Sequence, residues 1–163
     1  MQFINYSLLQ LSGLHGWVAK KTMQPFEFVE IYTKPLCIAV LPIKNSLSKH
    51  DLQYIEIKNL YIKMLSVLEL ESDKLSKVFM RYHEKEQFSI EQKNLLTKKI
   101  LYYSPQCILE FGDLGFLDTN LLNLENIFTI KTFHPEHLLN NPQDKRQAHQ
   151  DLLLCKKKLA ILS

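Results

Sequence analysis

The stretch Leu36-Cys37-Ile38-Ala39-Val40-Leu41 is an unbroken apolar run closed by Pro42. It is far too short for a bilayer span, which takes about 20 residues. It also lacks the alternation of a strand with one wet face. Such a run predicts a strand buried on both sides, as in mostly parallel sheets covered by helices on each face. A chain that must bury such a strand twice over is restricted to a layered α/β architecture.

The rest of the chain follows that constraint. Phe26 to Tyr32 alternates loosely and predicts an edge strand. Ser48 and Asp51 form an N-cap pair before Ile57, Leu60, Tyr61, Met64, Val67 and Leu68, which recur at helical spacing. Lys77 to Tyr82 predicts a strand, and His83 to Phe88 a polar loop. Ser89 with Gln92 is a capping box for a helix through Leu95, Leu96 and Ile100. A strand over Pro105 to Gly112, a short helix over Leu114 to Leu122 and a strand over Asn126 to Lys131 come next. The last helix has Asn141 at its N-cap, Pro142 at its first position and Asp144 near the positive end of its dipole. Ala148, Leu152, Cys155, Leu159 and Leu162 lie along one face of it. The expected fold is α/β: three layers, a mostly parallel central sheet and helices on both faces.

Residues 1–25 do not fit that scheme. Leu8, Leu9, Leu11, Leu14, Trp17 and Val18 are apolar, but Gly13, Gly16 and Pro25 interrupt any core element. The expected division is therefore a flexible N-terminal peptide, 1–25, and a single α/β domain, 26–163. One domain also suits a length of 163 residues. The net charge of +3 is too weak to demand a nucleic-acid partner, and Arg81 and Arg146 are the only arginines. Arginine forks read guanine edges and phosphates, so base-specific readout is not expected. Lys156 to Lys158 read as a solvated helix end, and His83, His137 and His149 as surface residues. Cys37, Cys107 and Cys155 are far apart in sequence and have no metal-ligand spacing. They read as buried core residues, and neither a metal, a disulfide nor a cofactor is expected. Met1 to Asn5 has no basic start and no small-residue cleavage site follows, so no secretory signal is expected and the expected location is cytoplasmic.

One stretch carries a motif. Thr132-Phe133-His134-Pro135-Glu136-His137-Leu138-Leu139-Asn140-Asn141-Pro142, with Lys145 and Asp151-Leu152 beyond, resembles the second motif of the uracil-DNA glycosylase superfamily. That motif runs His-Pro-Ser-x-Leu-Leu-Arg-x-Pro, and His134, Pro135, Leu138, Leu139 and Pro142 match it. The resemblance implies a glycosylase-like fold in which the histidine stabilises a departing uracil anion. The family's other requirements are missing. Its water-activating loop, a Gly-Glu-x-Pro-Gly type, is Pro42-Ile43-Lys44-Asn45-Ser46-Leu47 here, without glycine or carboxylate. Its phosphate-contacting Ser is Glu136 and its Arg is Asn140. Three cysteines cannot supply the four ligands of the iron–sulfur cluster that some members carry. The motif is vestigial by this comparison.

Leu9-Gln10-Leu11-Ser12-Gly13-Leu14-His15-Gly16-Trp17, followed by Lys20-Lys21, is similar to the N-terminal peptide of a family with such a decayed fold. That family is the psi subunit of the bacterial DNA polymerase III clamp loader. The resemblance implies a non-catalytic protein of DNA replication with no small-molecule ligand. Its N-terminal peptide, with Leu9, Leu11, Leu14, Trp17 and Val18 as contacts, would bind the clamp-loader ATPase (gamma/tau) subunits. Its folded domain would bind the chi subunit, and through chi single-stranded DNA-binding protein and DNA. The alternative is a divergent uracil-DNA glycosylase-like repair enzyme. The loop from Pro42 to Lys49 is the feature that separates the two.

Overall fold

The computed structural model describes residues 26–82, 89–113, 115 and 117–162. The expected N-terminal peptide and the loop at His83 to Phe88 lie outside them. Five strands form one sheet: β1 (Phe26–Glu30), β2 (Cys37–Lys44), β3 (Leu75–Tyr82), β4 (Cys107–Phe111) and β5 (Phe128–Thr132). Their order is β1-β3-β2-β4-β5. The four strands from β3 to β5 are parallel, and β1 is antiparallel on the β3 edge. The helices are α1 (Leu52–Ser66), α2 (Ile90–Tyr102), α3 (Thr119–Leu124), α4 (Pro135–Asn140) and α5 (Lys145–Leu162).

The doubly buried strand is at the centre, as its composition requires. Cys37, Ala39, Leu41 and Ile43 of β2 pack into one core with Tyr54, Ile57, Tyr61, Met64 and Leu65 of α1, Leu138 of α4, and Ala148, Leu152, Cys155 and Leu159 of α5. Ile38 and Val40 point the other way, against Leu96 and Ile100 of α2 and Leu122 of α3. The chain is therefore a three-layer α/β domain. Tyr61 is fully buried where its hydroxyl donates to the Ala39 carbonyl at 3.4 Å and its ring meets Phe111 edge-on at 4.9 Å.

Four details depart from the sequence expectations. Pro42 does not end β2; the strand runs through to Lys44 and pairs with β3 throughout. Pairing with β4 stops at Val40, and the Pro42 carbonyl faces a histidine from the β4 side. The nitrogen lacking a hydrogen therefore faces no strand, a setting that tolerates proline in a sheet. The short helix begins at Thr119, not Leu114, because the Asp118 carboxylate caps it, accepting from the Asn120 and Leu121 amides. Asn126, expected in the last strand, has φ of 58° and closes the turn before it, a left-handed position that asparagine tolerates. Finally, Pro135–Asn140 is a helix of its own. Asn141 and Pro142 open only a 3-10 turn, Pro142–Asp144, before α5, and Leu162 is exposed. Among the described residues no helix is long and apolar enough to cross a membrane.

Candidate functional site

Strand β2 is followed in the chain by β3 on one side, while β4 is followed by β5 on the other. This reversal opens a crevice beyond the carboxyl ends of β2 and β4, the place where open α/β sheets bind ligands. A groove of about 530 Å³ lies beside it, past the ends of β4 and β5, with Gly112, Asp113, Lys131, Phe133, His134, His137, Gln147 and Asp151 among its lining residues. A second hollow of about 350 Å³ shares His134 and extends to Pro42, Glu136 and Asn140. Gly112, just after β4, has φ of +91°, a strained value for any side-chain-bearing residue. It turns the chain directly beneath the His134 Cβ, which an added methyl would meet at 3.6 Å.

His134 is held at both nitrogens. It is the N-cap of α4, where Nδ1 accepts from the Glu136 amide at 3.1 Å, and Pro135 takes the first helical position. With Nδ1 an acceptor, the ring hydrogen sits on Nε2, which donates to the Pro42 carbonyl at 2.7 Å. Burial lowers the pKa of this imidazole, against smaller upward pulls from the Pro42 bond and Glu136. The neutral ring is therefore a bolt between the end of β2 and the start of α4. Donating to a departing anion would require Nε2 to give up Pro42.

The neighbouring groups continue the same bolt. The Glu136 carboxylate accepts from Lys44 at 2.8 Å and from Gln53 at 2.9 Å, joining α4 to the end of β2 and the first turn of α1. Arg81 of β3 donates to the Leu47 carbonyl at 3.1 Å, holding the loop after β2, and lies over the Tyr54 ring. One of the chain's two arginines is thereby committed within the domain. In this loop the Asp51 carboxylate accepts from the Ser48 amide rather than capping α1.

The carboxylates around the groove are paired. Asp113 meets Lys131 at 2.7 Å, a bond that lowers the Asp113 pKa and raises that of Lys131. Asp144 meets His137 at 2.7 Å, and His137 stacks on Phe133 with ring centroids 5.0 Å apart. Asp151 accepts from Gln147 at 3.0 Å. His137 is thus half-buried in the groove wall and not the plain surface residue its isolated position in the sequence suggests. Behind β4, on the α2 side, Glu110 is buried with Oε1 unpartnered among the described residues, and burial raises its pKa.

The motif residues are brought together, but not in one role. His134 is the bolt; Pro135 and Leu138 are the buried residues of α4; Leu139 is exposed; Pro142 begins the following turn. Leu9, Leu11, Leu14, Trp17 and Val18 lie outside the described residues. Asp113, Lys131 and Gln147 were not visible as site residues in the sequence, because only the β4–β5 register and the return of α5 bring them to this edge beside Asp151 of the motif. The cysteines also converge. Cys37, Cys107 and Cys155, which the sequence treats as separate core residues, place their three Sγ atoms within 4.8 Å of one another. No protein-family model matches the chain, and no curated protein matches it.

Proposed function

We propose that this chain is a non-catalytic accessory subunit of a DNA polymerase III clamp-loader complex, built on a uracil-DNA-glycosylase-like fold. In this reading residues 1–25 dock on the clamp-loader ATPase subunits through Leu9, Leu11, Leu14, Trp17 and Val18. The α/β domain binds chi and so connects the loader to single-stranded DNA-binding protein. A Trp surrounded by leucines and glycines has the make-up of a binding hot spot.

The observation that carries the non-catalytic half is the commitment of His134 to Pro42 and Glu136. The residue that would act on a departing base is spent on holding β2 to α4. The position that would contact a DNA phosphate is a carboxylate, Glu136, already engaged by Lys44. Arg81 clamps the loop where a water activator would stand. The groove of about 530 Å³ past the ends of β4 and β5, with the hollow beside it at Pro42 and His134, is what favours the enzyme reading. Mixing the full chain with purified clamp-loader ATPase and chi, followed by size-exclusion chromatography, tests the proposal. Co-elution of all three only when this chain is present is expected. Failure to bind either partner, with uracil release from DNA that His134→Ala abolishes, would put the enzyme reading in its place.

A further inference from the structure

Cys37 and Cys107 are the first residues of β2 and β4 and lie directly opposite each other in the parallel register. Cys155, in the middle of α5, comes down on that pair. All three are free thiols with no exposed surface. The Cys107 and Cys155 sulfurs are 3.4 Å apart, and no pair in the trio exceeds 4.8 Å. The cluster lies at the amino ends of the strands, the opposite end of the sheet from His134.

We propose that these three thiols form a buried, three-coordinate site for a thiophilic d10 metal ion, of which Cu(I) fits best. The size agrees: three sulfurs around one ion, each about 2.3 Å away, form a triangle with edges of about 4.0 Å. The observed separations bracket that value, so small rotamer adjustments close the site. The donor type agrees as well, since thiolate sets select soft ions. Coordination number decides among such ions. Among the described residues no His, Asp or Glu joins the three sulfurs. Zn(II) prefers a fourth ligand, whereas Cu(I) is satisfied by three sulfurs. Binding forms copper–sulfur bonds as thiol protons pass to solvent, with no change of oxidation state. A buried site of this kind is loaded as the chain folds, and the ion ties α5 to the two central strands.

The test uses the full chain, purified reduced, metal-free and without oxygen, and refolded in the presence of Cu(I) or Zn(II) buffered by a chromophoric chelator. One Cu(I) per chain is expected, held more tightly than Zn(II). X-ray absorption of the copper-loaded protein should count three sulfurs and no light-atom ligand. Cys155→Ala, which stays apolar, should weaken Cu(I) binding on the order of 100-fold by removing one of three ligands. Circular dichroism reports whether that variant is folded; if it is not, the sulfur count on the wild-type protein decides alone. No stoichiometric copper, fewer than three sulfurs, or undiminished binding in folded Cys155→Ala would overturn the proposal. Tighter retention of Zn(II) than of Cu(I) would equally refute a three-coordinate site.

Discussion

Replacing His134 by alanine removes both ends of the bolt at once. The helix N-cap is lost, worth about 1 kcal/mol. The part-buried Pro42 carbonyl loses its donor, a further cost of about 1–3 kcal/mol. His134→Ala should therefore destabilise the domain by about 2–4 kcal/mol, and the melting temperature should fall by about 4–16 °C for a chain of this size. His134→Asn separates the two contributions. Asparagine is a good N-cap and can accept from the Glu136 amide, but it is too short to reach Pro42, so about 1 kcal/mol should return. The effect also has a pH signature. Burial lowers the folded-state pKa of His134 below its ordinary value of 6.5. Below about pH 6.5 the unfolded wild-type chain therefore takes up a proton that the folded one resists. The histidine's contribution is complete above that pH and declines as the pH falls toward the folded-state value. The stability gap between wild type and His134→Ala should narrow over that interval. Urea unfolding of all three proteins from pH 7.5 to 5 measures this. A His134→Ala midpoint indistinguishable from wild type, or a gap that widens on acidification, would refute the bolt.

Leu152 is buried between α5, α1 and α4, so Leu152→Ala should cost about 2–5 kcal/mol in denaturant unfolding; an unchanged midpoint would mean that α5 is not packed as described. Uracil release from single- and double-stranded DNA should be absent, and release that depends on His134 would contradict the non-catalytic reading. Glu110 has its folded-state pKa raised above 4.5 by burial, so it costs the wild type stability as the pH rises from there. Glu110→Gln should gain on the wild type between pH 4 and pH 7, and thermal melts showing a constant difference would refute that assignment.

The legible parts of this fold were those written in local pattern. The run from Leu36 to Leu41 placed the central strand, and Ser89 with Gln92 placed the start of α2, where both bonds of the capping box form. Pro42 was misleading because its tolerance depends on which edge of β2 still has a neighbour, a property of the sheet and not of the strand. The helix at Pro135 is too short for periodicity to mark it, and its cap is a histidine, outside the usual set of capping residues. The candidate site was legible only at His134 and its motif. The Asp113–Lys131 pair joins the turn after β4 to β5, and the three cysteines join β2, β4 and α5, residues that become neighbours only after the sheet has formed.

We propose that this chain tethers two partners and performs no chemistry of its own. Titration calorimetry of the full chain, Trp17→Ala and residues 26–163 against the clamp-loader ATPase and against chi tests it most directly. Trp is the side chain most enriched at hot spots, so Trp17→Ala should lose roughly 2–4 kcal/mol of affinity for the ATPase. That is a weakening of about 30-fold to 1000-fold in Kd. Residues 26–163 retain every described strand from β1 onward, and should bind chi as the full chain does while losing the ATPase altogether. Unchanged ATPase affinity in the truncated chain would contradict the account.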